Sequence, residues 1–399
     1  MFEGVNVNRG QGALNRQNAS TDGVMALVAY SPSAGTGAYN TAYRLIEPAG
    51  AVTLGYGPAY DSNGHVIVHG HVTEFFRLAP GGTLILIVTD KTTAKAFFES
   101  VEAKALFRQN SDVKRIAYAY NGQPAALNMV QELAAAQLFI DDMAKEKILF
   151  DGIYLEGRNL GAAAVTLRTN AAPQCSVVIA QDPAVAVLDA AYAKYAAVGS
   201  ALGMRAARKV NENLGSVDII NKPNAKKGNI SYPLTDRLLG KWLSANLSDG
   251  TAVTPLSGAV KKQLTDYGYI YAGSFPDFDG VYFNGEPTCV ELSSDYSTGE
   301  NNGVWNKAAR GIRIALLPKV RGWFKRDLTS GNLKATAITS LENTGRKPLD
   351  EMMAREEISA YEFGIPADQN PNDQTPLKVK VSVTLGAIIH TFDVDLSLN

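Results

Sequence analysis

A run of alternation near the C-terminus most constrains what this chain can fold into. Leu377, Val379, Val381, Val383 and Leu385 alternate with Lys378, Lys380, Ser382 and Thr384. After Gly386 the alternation resumes through Ile388, His390, Phe392, Val394 and Leu396. Period two places each set on one face of a strand, which predicts a terminal β-hairpin over residues 377–396. A lone two-stranded ribbon is marginal in water. Burying each large apolar side chain is worth about 1.5–3 kcal/mol as an upper estimate. The apolar face should therefore dock on the chain's own sheet or on another copy.

Upstream the pattern is α/β. VMALVAY (24–30) and TLILIVT (83–89) are apolar runs of strand length, and 113–120, 148–156 and 176–181 are further strand candidates. Helices are predicted over 93–107, 124–147 and 184–199, the last opened by Asp182-Pro183 through capping and a preset φ. Residues 65–77 alternate and suggest a strand. Residues 241–247 and 255–267 read as helical, and 267–283 as an aromatic-rich hairpin around a PDFDG loop. Strands alternating with helices give an α/β fold of mixed sheets flanked by helices. Residues 1–20 are polar and glycine-bearing and read as an extended N-terminal arm, in which Val5 and Val7 alternate with asparagines. Such an arm could add a strand to an exposed sheet edge. The expected division is an arm (1–20), an α/β body (21–300) and a C-terminal assembly domain (301–399) ending in a hairpin arm.

A helix predicted from residue 302 carries Val304, Ala308, Ile312, Ala315 and Leu316 on one face, with Lys307, Arg310 and Arg313 on a neighbouring stripe. Pro318 should end or kink it. Within 302–334, eight basic residues (Lys307, Arg310, Arg313, Lys319, Arg321, Lys325, Arg326 and Lys334) face one acid, Asp327, a local net of +7 in a chain whose net charge is −1. That asymmetry fits an acidic partner surface, or a solvated basic face. The near-neutral total argues against a nucleic-acid or membrane-surface binder.

Two cysteines without a CxxC exclude a disulfide scaffold and a cysteine-rich zinc site. No apolar run is long enough to span a bilayer. The opening residues lack the blocks of a signal peptide, which predicts a chain that stays in the cytoplasm unless released by lysis or injection. GxSxG and the P-loop pattern are absent. His65, His69 and His71 would share a face if 64–72 were a strand, with His69 and His71 about 6.6 Å apart. Glu74 or Asp61 could then complete a zinc site, although no HExxH supports one. The aromatics of 267–283 could form a ligand platform, but core packing or subunit contact is the commoner use. An α/β enzyme or ligand-binding protein with a site at the histidines or the aromatic hairpin is thus the alternative reading. No cofactor, metal or catalytic set is expected.

Four segments, in order, resemble the contractile phage tail sheath family: VNVNRGQGALNRQNASTDGVMALV (5–28), GYIYAGSFPDFDGVYFNGEPTC (268–289), NNGVWNKAARGIRIALLP (301–318) and RKPLDEMMAREEISAYEF (346–363). No single segment is diagnostic, and the joint order carries the resemblance. It implies a non-enzymatic structural subunit of the short type, from a phage tail or a phage-derived injection machine. Copies would form a helical homopolymer, as stacked hexameric rings, around an inner tail tube, with baseplate and tail terminator proteins as further partners. The location implied is the virion tail, assembled in the host bacterial cytoplasm, without membrane insertion. The inter-subunit arms would be Val5 and Val7 at the front and Leu377, Val379, Val381, Val383, Ile388, Phe392 and Val394 at the back. Lys307, Arg310 and Arg313 would face the tube.

Overall fold

The computed structural model describes residues 21–122, 127–223, 229–372 and 375–397. The N-terminal arm, with Val5 and Val7, lies outside the described residues. The described residues begin with a 3-10 turn (Thr21–Gly23) and β1 (Val24–Tyr30), then β2 (Ala42–Leu45), α1 (Pro48–Thr53), α2 (Pro58–Gly64), α3 (His69–Leu78), β3 (Thr83–Thr89), α4 (Ala94–Phe98), α5 (Val101–Gln109) and β4 (Arg115–Ala119). It continues through α6 (Met129–Lys145), β5 (Gly152–Glu156), β6 (Cys175–Val178), β7 (Ala180–Gln181), α7 (Pro183–Ala186) and α8 (Val198–Ala206). Next come β8 (Asn246–Leu247), α9 (Gly258–Asp266), β9 (Tyr269–Ile270), β10 (Ala272–Gly273) and β11 (Tyr282–Phe283). The last part holds α10 (Gly299–Leu316), α11 (Ala335–Ala354), β12 (Ala360–Gly364) and β13 (Lys380–Thr384).

Seven strands form one sheet in the order β2-β3-β1-β4-β5-β6-β9. All neighbours are parallel except β2, which runs antiparallel along β3. The apolar runs explain this. Met25, Leu27 and Ala29 enter one core with Leu84, Leu86 and Val88, while Val24, Ala26 and Val28 enter a second with Ile85 and Ile87. Both faces are covered, as parallel strands require. The first core is closed by α3 and α8 and the second by α4 to α6. The order reverses at β1, whose neighbours β3 and β4 are reached by crossovers on opposite faces. The sheet is therefore doubly wound, with a switch point between β1 and β4.

Several expectations need correction. Residues 65–77 are not a strand. Val68, Val72, Phe75 and Phe76 repeat at helical spacing and are buried, and counting His71 as a polar position hid that period. Asp61 accepts from the backbone N–H groups of Val68 (3.0 Å), His69 (2.9 Å) and Gly70 (2.8 Å) and so caps α3. The long helix over 184–199 is instead the short α7, a 3-10 turn at Ala190–Tyr192 and then α8. α8 crosses α3 so closely that a Cβ at Gly199 would lie 2.6 Å from the His71 carbonyl oxygen, and one at Gly203 2.9 Å from that of Phe75. Residues 241–247 are not helical, because Trp242 has φ 51° and Asp236 bridges back to Lys241. The helix over 93–107 is split, with Thr93 capping α4 and Ser100 capping α5. The strand over 176–181 breaks into β6 and β7, the latter pairing β8. The aromatic hairpin is partly present: β10 pairs β11, whereas Tyr269 belongs to the main sheet.

The last correction concerns the C-terminus. β13 is a strand, but its antiparallel partner is β12, with Tyr361 opposite Val383 and Phe363 opposite Val381. Residues 385–397 carry no regular secondary structure. Alternation defines a face, not a neighbour, and β12 supplies a partner already anchored to α11 by Phe363, whose ring fills the space where a Gly345 side chain would sit.

Candidate functional site

The candidate site is the surface built by α10, α11, the β12–β13 ribbon and the segment after it. α10 forms as expected and ends at Leu316, with Pro318 in a 3-10 turn. Its apolar face packs into a third core: Val304 and Ala308 are buried, with Ile312 and Leu316 against Leu341, Leu349 and Met352 of α11. The helices touch where a Cβ on Gly311 would lie 2.8 Å from the Cβ of Pro348. Leu377, Val379, Val383 and Leu385 lie over the same core, while Val381 is more exposed.

A second stripe of α10 holds it to the body. The amide of Asn302 donates to the Pro173 carbonyl (2.7 Å) and that of Asn306 to Phe150 (2.7 Å). Arg310 donates to the Leu149 carbonyl (3.0 Å) and pairs with Asp151 (2.8 Å). Lys307 pairs with Glu357 at 2.7 Å and with Asp22. The expected basic stripe is thus divided. Lys307 and Arg310 neutralise acids of this same chain, and only Arg313 of the three is exposed without an ion pair among the described residues. Asp22, Asp151 and Glu357 are distant in sequence, so no spacing announced these pairs.

Beneath α10 lies a buried charge cluster that the sequence did not single out. Arg115 and Arg205 converge on the carboxylate of Glu286, and Arg115 also sits 4.8 Å over the Tyr154 ring. Asn213 donates to Glu300 (2.8 Å). Burial, and then the Glu286 charge, raises the Glu300 carboxyl above its ordinary range.

The unfinished part is the end of the chain. Neither β12 nor β13 has a second strand neighbour among the described residues. Beyond Gly386, Phe392 is 79% exposed, Val394 77% and Leu396 88%. Next to the ribbon, Leu316, Phe324, Leu333, Leu377 and Val379 line a groove of about 970 Å³. Its rim carries exposed Trp323 and Leu328 with Lys319 and Arg321.

The histidines do not share a face. His65 ends α2 and contacts Asp189 at 2.7 Å. His69 begins α3, and His71 is buried against α8, with Nδ1 accepting from the Gly199 N–H at 3.3 Å. No cluster of three or more His, Cys, Asp or Glu suited to a metal occurs among the described residues. Of the aromatic set, Tyr269 and Tyr271 are buried in the second core, while Phe275 and Phe278 stand exposed beside Tyr282. No helix among the described residues is long and apolar enough to cross a membrane.

These features define an α/β sheet protein with an appended helix-and-ribbon unit. A chain of the anti-feeding prophage baseplate aligns with a TM-score of 0.63 at 13% identity, covering 100% of this chain and 99% of that one. A chain of the anti-feeding prophage helical sheath in its contracted state aligns at 0.62 and 12%, covering 99% of each. A chain of the contracted PVC sheath complex, from an extracellular contractile injection system, aligns at 0.57 and 11%, covering 100% and 98%. The chain belongs to the DUF2586 family: its N-terminal domain profile matches residues 2–286 and its C-terminal domain profile residues 295–399. No curated protein matches the sequence.

Proposed function

We propose that this chain is the structural subunit of a contractile tail sheath, polymerising as a helical sleeve around an inner tube and shortening to drive that tube through a host envelope. The observation that carries this reading is the C-terminal end: a ribbon whose outer edges are unpaired among the described residues, followed by a segment without regular secondary structure whose apolar side chains face solvent. An end-to-end likeness in fold to sheath and baseplate chains supports it. A repeated contact that does not close on itself makes a filament. A segment that pairs through backbone hydrogen bonds with a neighbour keeps its hold while the bodies rotate. Val5 and Val7 at the front, and Val381, Ile388, Phe392 and Val394 at the back, are the residues for that exchange.

The tube contact falls to Arg313 with the exposed Lys319, Arg321 and Lys325, since Lys307 and Arg310 are paired internally. Exposed ion pairs are worth about 0–1 kcal/mol each, which suits a surface that must let go. Contraction is then a rigid-body change between two packings, driven by the metastable extended sleeve. Further partners are the baseplate and a terminator. The sleeve forms in the host cytoplasm as stacked hexameric rings and resides in the virion tail.

Negative-stain electron microscopy of the full chain beside a version ending at Pro376 tests this. Tubes or stacked rings from the full chain, lost on truncation, are expected. Tubes from both would remove the C-terminal segment from the linkage. Small particles from both, persisting when a purified tail tube is supplied as template, would overturn the sheath reading.

A further inference from the structure

We infer that Cys175 and Cys289 are a redox pair, which a small-molecule disulfide closes into a reversible bridge between the body and the connector to α10. Cys175 opens β6, and Cys289 lies in the stretch between the two family profiles, which stop at 286 and resume at 295. The Cys289 N–H donates to the Cys175 carbonyl at 2.9 Å, and the Ala172 N–H donates to the Cys289 carbonyl at 3.0 Å. A backbone bond of this kind sets the two Cα atoms about 5 Å apart, inside the roughly 4.4–6.8 Å that a disulfide spans. Both side chains are fully buried in the second core, so they leave the sheet on the same face. Side-by-side residues on one face hold their Cβ atoms about 4.5–5.5 Å apart, against the roughly 3.5–4.5 Å of a bridge. The bond therefore closes with a small backbone shift and is strained once closed.

Both thiols are free. Burial pushes the Cys289 thiol up to about 12 against the pull of Arg168, and the Cys175 thiol is raised by burial and then by the neighbouring Cys289 sulfur. Little thiolate exists in the closed fold, so exchange waits for the connector to open. In that opening one thiolate attacks the small disulfide, forming a mixed disulfide and releasing one small thiolate. The second protein thiol gives its proton to solvent and attacks the protein sulfur of the mixed disulfide, releasing the second small thiolate. Two electrons pass from the protein to the oxidant, which leaves as two thiols. A strained bridge is readily reduced, so a reducing cytoplasm keeps it open and an oxidising medium closes it. Without it, the buried Arg168 holds the connector by donating to the carbonyls of Thr288 (2.6 Å), Val290 (3.3 Å) and Ser297 (3.1 Å). Closure adds a covalent tie to these bonds and fixes how the connector leaves the sheet toward α10.

The test uses the full chain with oxidised glutathione and a trace of the reduced form. One sample is oxidised while folded. A second is unfolded in urea and refolded in the same buffer, so that burial does not limit access. Intact mass spectrometry is expected to show the loss of two hydrogen atoms, and a non-reducing digest a pair of peptides joined through Cys175 and Cys289. The bridged chain should unfold at a urea concentration about 0.5 M higher than the reduced chain, and dithiothreitol should return the midpoint. Cys289→Ser and Cys175→Ala each leave one thiol and should each lose both the mass change and the shift. The inference is overturned if both samples stay reduced, carry glutathione adducts or link two chains together. An unchanged urea midpoint in the bridged chain would also overturn it. No outcome here depends on whether the chain polymerises.

Discussion

The strands β3 and β13 both carry β-branched apolar residues, yet they end in opposite situations. All seven residues of β3 are buried, because strands flank it and helices cover both faces of its sheet. β13 has one strand beside it and one core beneath it, and its five residues are exposed except for half-buried Val383. The body is a finished object, whereas the C-terminal unit is finished on one face only. Apolar content alone did not decide this. What decided it was whether the described residues carry a second layer for that surface.

The sharpest way to break the contrast is to charge the tail. Phe392→Asp with Val394→Asp is expected to abolish self-assembly seen by electron microscopy or sedimentation. The urea stability of the subunit should change by less than about 0.5 kcal/mol, as for other exposed positions. Persistent assembly would mean that this segment is not the missing layer. Next in size, Arg115→Met leaves Glu286 buried with only Arg205 nearby. A loss of about 3–5 kcal/mol in urea unfolding is expected, and a loss under about 1 kcal/mol would show that the buried Glu286 carboxylate does not depend on Arg115.

A third prediction concerns pH. Burial raises the Asp61 carboxyl to about 6 in the fold, against the pull of its three backbone N–H donors. A raised carboxyl binds its proton more readily in the folded state, so its contribution grows as pH falls through about 6 and is complete below the unfolded value. The penalty of Asp61→Asn, measured by urea unfolding, should accordingly be about 2 kcal/mol larger at pH 4 than at pH 7. A penalty independent of pH would mean that Asp61 titrates normally. The smallest effect belongs to Arg313→Glu, worth at most about 1 kcal/mol in co-sedimentation with a tail tube and fading as salt rises. A salt-independent defect would point to packing instead of charge.

Sequence made the body legible where one element's pattern sufficed. VMALVAY and TLILIVT are strands covered on both faces, and Pro318 stops α10 because it lacks the N–H and crowds the preceding turn. Legibility failed where the deciding contact is remote. Lys307 and Arg310 looked like a free stripe, but their partners Asp22, Glu357 and Asp151 arrive only through the fold. β13 showed its apolar face and hid its partner, since β12 is placed by α11 rather than by a tight turn. His71 looked like a polar position of a strand and is a core residue of a helix.

The Lys307 contact has a mechanical consequence. Asp22 stands at the root of the leading segment, and Glu357 stands three residues before the ribbon begins. Tension entering at either end of the chain therefore reaches a single ammonium before it loads the central sheet. An ion pair of this kind can part and re-form without unzipping a strand. The joint is a renewable coupling between Asp22 and Glu357, with the seven-stranded sheet behind it. In an optical-trap pull on the two ends, Lys307→Met is expected to lower the force of the first yield and leave the final unfolding force of the sheet where it was.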